Sequence, residues 1–172
     1  QDYDKGVINS KLISKVVELS KKLNIPVAVD PKKKNFLHYK NVTLFKPNLK
    51  EIKEGLNISF DANNKAEFEK AIDKLQEKIN ASIILNTLSE KGVYIRWGKK
   101  SKIIPAHVRN ISDVSGAGDT VISVAALCLA LKIEIPDMAA ISNLAGGLVC
   151  EEVGVVPINS GRLQSEVIKL LT

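Results

Sequence analysis

The sequence predicts an α/β fold built on a parallel sheet, and three observations carry that prediction. Three short, almost wholly apolar runs, "IPVAVD" (25–30), "VTLFKP" (42–47) and "SIILNT" (82–87), have the composition of strands buried on both faces. Segments with helical periodicity separate them, and alternation of strands with helices argues for helices covering both faces of one sheet in three layers. After Asp113 the pattern becomes helical only.

Each element has its own signal. Ser10 is in place to cap a first helix that ends near Asn24, with Leu12, Ile13, Val16, Val17, Leu19 and Leu23 on its apolar face. The strand at 25–30 follows and stops at Pro31. After the strand at 42–47, "NLKEIKEGL" starts a helix that the pattern closes at Gly55. Residues 64–80 form a further helix, with Phe68, Ile72, Leu75 and Ile79 facing inward, and the strand at 82–87 comes next. "GVYIRW" and "KSKIIPA" alternate around "GKK" and read as a β-hairpin. Three helices complete the chain, at residues 120–131, 137–152 and 162–171.

Composition narrows the function classes. A chain of 172 residues is about one domain, and 45% hydrophobic with 26% charged residues is ordinary for a soluble protein. The longest uncharged stretch opens at Thr120 and falls short of the roughly 20 apolar residues a membrane span needs. The opening "QDYDKGV" is polar, without the basic-then-apolar run of a secretory signal. Cys128 and Cys150 lie far apart in apolar segments and read as buried free thiols, which together with the missing signal predicts a cytoplasmic protein without a membrane partner. The net charge of +6 raises nucleic acid as a partner, but aromatic content of 5% and the lack of a recognition motif beside the lysines argue against it. Lysines around a site for a small polyanion fit better.

In open α/β sheets ligands sit beyond the carboxyl ends of the strands. Every strand exit here is polar: Asp30-Pro31-Lys32, then Asn48 with Glu51 three residues on, then Thr87-Leu88-Ser89-Glu90-Lys91-Gly92. Singly each has a structural reading, Asp30-Pro31 as a turn and Asn48 with Glu51 as a capping box. Together on one sheet edge they describe a phosphate and metal site. "DVSGAGD" (113–119) adds to this. A helix N-terminus offers unpaired N–H groups to an anion, and Gly116 and Gly118 let a ligand approach that backbone. Asp119 is then placed to accept a proton from an alcohol while the N–H groups stabilise a transferring phosphoryl. The structural alternative is a tight turn with Asp119 on the helix dipole. Spacing excludes a dinucleotide fingerprint, since the sixth position from Gly116 is Val121, and no P-loop string occurs.

These strings resemble those of the ribokinase-like (phosphofructokinase-B-type) carbohydrate kinases. "DVSGAGD" is similar to their C-terminal signature and "NLKE" to their Asn-x-x-Glu motif. "DYDKGV", "VDPK", "LFKPNLKE", "TLSEKG" and "IPAHVRNISDVSGAGDTVIS" are similar, in order, to the heptose-phosphate kinase branch of ADP-heptose synthesis. The resemblance implies a ribokinase-like, Rossmann-like three-layer α/β fold and an ATP- and Mg²⁺-dependent kinase of a heptose 7-phosphate, acting at the anomeric hydroxyl in lipopolysaccharide core assembly. Asp119 would be the catalytic base, with Gly116, Ala117 and Gly118 as the anion hole. Asn48, Leu49, Lys50 and Glu51 would lie near the triphosphate and its Mg²⁺, Glu51 through metal-bound water. Thr87, Ser89, Lys91 and Gly92, with Asn143 and Gly146, would line the nucleotide pocket; Lys32 and Lys91 would offset phosphate charge. Asp113 would shape the anion-hole loop, and neither His38 nor His107 is assigned chemistry.

The match begins well inside the family pattern. Residues 1–172 are therefore expected to be the C-terminal portion of one kinase domain, truncated at the N-terminus and without the region that supplies the first strands, the lid and most sugar contacts. The expected partners are a nucleotide and a sugar phosphate, with a homodimer a further expectation from an open sheet edge. Alternatives are a nucleotide-binding α/β module without catalysis and another sugar kinase of the same superfamily.

Overall fold

The computed structural model describes residues 1–171. Its elements are α1 (Ser10–Leu23), β1 (Ala28–Val29), β2 (Leu44–Phe45), α2 (Leu49–Leu56), α3 (Lys65–Ile79), β3 (Ile83–Thr87), β4 (Val93–Trp97), β5 (Lys100–Ile104), α4 (Ala117–Ala130), α5 (Ile135–Val149) and α6 (Ser160–Leu171). The five strands form one sheet in the order β1-β2-β3-β4-β5. The chain divides into two compact units: residues 1–87 with 96–100, and residues 88–95 with 101–171.

In the first unit β1, β2 and β3 are parallel, with Ala28 opposite Leu44 and Leu44 opposite Ile83. Leu44, Phe45, Ile84 and Leu85 are fully buried, so these strands are covered on both faces, as their uninterrupted apolar runs require. β1 and β2 are two residues each, much shorter than the runs that announce them, because Pro26, Pro31 and Pro47 flank the pairing segments and cannot donate to a ladder. α3 turns Phe68, Ile72, Leu75 and Ile79 inward as its periodicity predicts. Phe36 meets Phe45 edge to face with centroids 5.1 Å apart. The start of the chain is tied down: the buried Asp2 carboxylate accepts from Tyr39 Oη at 2.6 Å and from Asn35 Nδ2 at 2.9 Å.

Two expectations, the cap of α1 and the end of α2, are corrected here. The cap of α1 is Asn9, whose Oδ1 accepts from Leu12 N at 3.0 Å, and Ser10 is the first helical residue. Only Ile13 of the apolar stripe is buried; Leu12, Val16, Leu19 and Leu23 are exposed, and among the described residues nothing covers them. α2 passes through Gly55 and ends at Leu56. Asn24, Asn57 and Asn80 close α1, α2 and α3 in the left-handed conformation, so asparagine fills the role the sequence reading gave to Gly55. Gly55 serves packing instead: an added Cβ would lie 2.2 Å from Cδ1 of the buried Phe36 ring.

In the second unit α4 and α5 pack on one another, and Val121, Ala125 and Cys128 of the first and Met138, Ala139 and Ala145 of the second are buried. Cys128 and Cys150 are buried free thiols, as expected. The helices begin earlier than their patterns suggest: α4 at Ala117, α5 at Ile135 through Pro136 near its N-terminus, α6 at Ser160. β4 and β5 are joined through Gly98 and Lys99, with Gly98 at φ +54°, while Lys100 already belongs to β5. No helix among the described residues is long and apolar enough to cross a membrane.

Gly55→Ala tests the account of α2. Alanine would ordinarily favour a helix, but overpacking against Phe36 outweighs that gain, and a net loss of about 1–2 kcal/mol is expected in urea unfolding.

Candidate functional site

In the first unit the polar strand exits gather as the sequence suggested. Asp30, one residue beyond β1, is 3% exposed and pairs with Lys46, one residue beyond β2, at 3.1 Å. Burial pushes the Asp30 carboxyl up from its ordinary range, and the Lys46 ammonium opposes that rise. Asp30 Oδ1 is buried and has no hydrogen-bond partner among the described residues. Beside this pair, Lys32 Nζ donates to Glu51 Oε1 at 2.5 Å.

Asn48 and Glu51 form the complete capping box of α2. Asn48 Oδ1 accepts from Glu51 N at 2.8 Å, and Asn48 N donates to Glu51 Oε2 at 2.9 Å. Glu51 is thereby fixed by its neighbour on one oxygen and by Lys32 on the other. Leu49 is half-buried, and the exposed Lys50 reaches along the helix to Glu54 at 4.0 Å. Thr87 lies opposite Asn48 in an isolated parallel bridge and donates through its backbone N–H to Pro47 O at 3.1 Å. Asn86 is fully buried; its Nδ2 donates to the same carbonyl at 2.9 Å, and its Oδ1 has no partner. Sequence reasoning passed over Lys46 and Asn86. Their signal was a strongly polar residue following directly on an apolar run, Lys46 after Leu44-Phe45 and Asn86 after Ile83-Ile84-Leu85.

In the second unit, α4 begins at the glycine-rich string. Gly116 is its N-cap at φ +80°, and Ala117, Gly118 and Asp119 form the first turn; Ala117 N donates to Val114 O at 3.3 Å, and the N–H groups that follow in that turn have no acceptor within the helix. A side chain at Gly116 would be strained by that conformation and would sit 3.1 Å from Val155 Cγ1. Asp119 is half-buried. Asp113 braces the approach: Oδ1 accepts from Ser115 N at 2.9 Å and Ser115 Oγ at 2.8 Å, and Oδ2 from Gly154 N at 3.0 Å. These donors, first among them Ser115 N–H, hold its carboxyl below the usual range.

The same unit brings Gly92 and Asn143 to one segment. Gly92, at φ +89°, ends the turn Ser89–Lys91, and an added Cβ would lie 2.1 Å from Ile104 O and 2.5 Å from Ala106 N. Buried Asn143 donates from Nδ2 to Pro105 O at 2.9 Å. Ser89 and Lys91 are exposed on that turn. Gly146 faces α4, where a Cβ would lie 2.6 Å from Val121 Cγ2, so close helix packing alone accounts for this glycine. His38 is exposed; His107 is half-buried, with burial and then Arg109 pushing its pKa down. Among the described residues no cluster of three or more His, Cys, Asp or Glu side chains could hold a metal ion.

A family model described as pfkB family carbohydrate kinase matches residues 6–160. The chain belongs to the PfkB carbohydrate kinase family. This PfkB chain is 40% identical over 164 residues to the bifunctional protein HldE of Campylobacter jejuni strain NCTC 11168, covering 95% of its own length and 35% of that protein. It is 39% identical over 153 residues to HldE of Campylobacter concisus strain 13826, covering 89% of its own length and 32% of that protein. The chain thus spans about a third of the length of the curated relatives it matches. Among solved structures, phosphofructokinase-2 of Escherichia coli in complex with potassium superposes with a TM-score of 0.84 at 18% identity, over 96% of this chain and 54% of that one. Arabidopsis thaliana ribokinase complexed with ribose and ATP gives 0.80 at 20% identity, over 96% and 53%. These likenesses establish the ribokinase-like α/β fold expected from the sequence.

The buried pair makes a sharp prediction. Lys46→Met strands the Asp30 carboxylate, and a loss of about 3–5 kcal/mol is expected in urea unfolding at pH 7. Because Asp30 is a carboxyl whose folded value is raised, the penalty on its charged form is relieved as pH falls. The deficit of the variant should therefore shrink toward pH 4, and Asp30→Leu added to Lys46→Met should restore much of the loss at pH 7. A deficit independent of pH would refute the ion-pair account.

Proposed function

We propose that this chain carries the nucleotide and catalytic-base residues of an ATP-dependent sugar-phosphate kinase, as the C-terminal portion of one carbohydrate-kinase domain. The observation that carries the reading is the glycine-rich first turn of α4, with Asp119 on it, in a chain of PfkB family membership. The substrate we assign is a heptose 7-phosphate, phosphorylated at its anomeric hydroxyl. The sequence similarity to HldE proteins supports that choice over other sugars.

In the reaction the acceptor oxygen forms a bond to the γ-phosphorus of ATP while the bond from that phosphorus to the ADP oxygen breaks. Asp119 takes the hydroxyl proton, and a carboxylate suits this as a positioned general base. Backbone N–H groups at Gly116, Ala117 and Gly118 are assigned to the charge on the transferring phosphoryl, aided by the positive end of the α4 dipole. Asn48, Leu49, Lys50 and Glu51 are assigned to the triphosphate side, and Thr87, Ser89, Lys91, Gly92 and Asn143 to the nucleotide, while Gly146 is left to the packing of α5 on α4. Asn143 suits this because it holds Pro105 O, and Gly92 because it lets the turn lie close against the backbone at residues 104–106.

Magnesium, when bound, neutralises phosphate charge and orients the leaving group. The fit of these residues to that ion rests on Glu51. Its two oxygens are engaged by Lys32 and by Asn48 N, yet each keeps a lone pair for a metal-bound water. A water-mediated role fits this donor set better than direct ligation. Asp113 is assigned to holding the anion-hole loop. The partners that follow are a nucleotide and a sugar phosphate; a second copy of the chain stays a proposal, as does a cytoplasmic location.

Asp119→Asn tests the base. In the longest protein containing this chain that shows transfer, kcat should fall by about 10²–10⁴-fold while nucleotide binding by calorimetry persists. Unchanged transfer would remove Asp119 from the mechanism. Asn48→Ala should cost about 1 kcal/mol of stability as a lost cap. It should also weaken Mg-ATP binding, which a cap alone would not do.

A further inference from the structure

We propose that Arg109 is a positioning residue for the loop at 113–119, holding that loop to the end of α5 through Glu151. The inference rests on the assignment of this loop to the transferring phosphoryl. Arg109 lies in the segment between β5 and α4, and its side chain is 11% exposed. Its guanidinium donates from Nη1 to Glu151 Oε1 at 3.0 Å and from Nη2 to Glu166 Oε2 on α6 at 3.1 Å. The aliphatic stem crosses α5 at Gly147, where an added Cβ would lie 3.4 Å from Arg109 Cδ. Among the described residues Arg109 Nε is buried with no acceptor, so the two carboxylates anchor the group.

The contacts continue toward the loop without a gap. Glu151 follows Cys150, whose carbonyl accepts from Ser112 N at 2.8 Å and Asp113 N at 3.1 Å. Asp113 then gathers Ser115 and Gly154, and Gly116 turns the chain into α4. A fork with two donor edges can hold α5 and α6 at once in a fixed geometry, which the single ammonium of a lysine cannot. Glu151 is shared: Arg162 also pairs with it, so removing Arg109 leaves the carboxylate neutralised but frees the segment at 109–113. Glu166 offers the contrast, because it ties Arg109 to α6, where its other oxygen pairs with Lys169.

Amide hydrogen exchange on the full 172-residue chain separates the two anchors. Arg109→Ala and Glu151→Gln should each speed exchange at residues 112–119 by at least about tenfold. Glu166→Gln should change only α6. Millimolar guanidinium, and not urea at the same concentration, should restore protection in Arg109→Ala. Faster exchange confined to α6 in all three variants would overturn the proposal and leave Arg109 as a dock for that helix. If Arg109→Ala does not fold, Glu151→Gln decides by the same criterion. Where the wild-type protein transfers phosphate, Arg109→Ala should lower kcat by about 10²-fold, the scale of a 1 Å misplacement, with KM for ATP little changed. Absence of transfer by the longest protein containing this chain would count against the kinase reading, while the exchange result would still stand for or against Arg109.

Discussion

Burying both faces of a parallel strand removes every side-chain position from water except those at its ends. β2 and β3 are in that situation, with Leu44, Phe45, Ile84 and Leu85 sealed, and the chemistry of the first unit is displaced to the residues just beyond them. Asp30, Lys46, Asn48 and Glu51 are there because the strands leave nowhere else for charge. Once there, they must satisfy each other. Asp30 takes Lys46, Glu51 takes Lys32 and the Asn48 N–H, and one carboxylate oxygen and one amide oxygen remain buried without a partner. Such unpaired buried groups are costly, and a pair of this kind is poor evidence of stability in itself. Sites where local rules are broken are where function is expected.

The second unit meets a different constraint, close approach of backbone. Gly92 sits where any Cβ would overlap the chain at Ile104 and Ala106, and Gly116 adopts a conformation that disfavours side chains. Between them the unit presents a turn and a helix N-terminus whose amides are not covered by their own side chains. Asp113 supplies order by accepting three hydrogen bonds rather than by charge alone. Arg109 extends that order to α5 and α6. A loop rich in glycine loses much entropy on ordering, so a brace of this kind is what holds its backbone in one geometry.

The sequence made a good deal of this legible. Apolar runs located β2 and β3, the capping box at Asn48 and Glu51 could be read from spacing, and the glycine-rich string was placed at a helix start. The family came from resemblance, and the match over residues 6–160 agrees with it. What was misplaced shares a cause. Gly55 looked like a stop because glycine often ends helices, but Asn57 ends this one and Gly55 makes room for Phe36. Leu12, Val16, Leu19 and Leu23 share the apolar face that periodicity marks and are exposed, because periodicity reports which face is apolar and not whether anything covers it.

By itself, then, the sequence determined the order of strands and helices, the polar character of every strand exit, and the glycines and acids of the loop at 113–119. These are local matters, set by periodicity, capping and backbone freedom within a few residues. Tertiary structure decided which charges meet: Asp30 with Lys46, Lys32 with Glu51, Arg109 with Glu151 and Glu166. Those partners are 16 to 57 residues apart along the chain, and no local rule links them. It also decided that Gly146 and Gly55 are packing residues, since a missing side chain acquires meaning only from the atom that would have touched it.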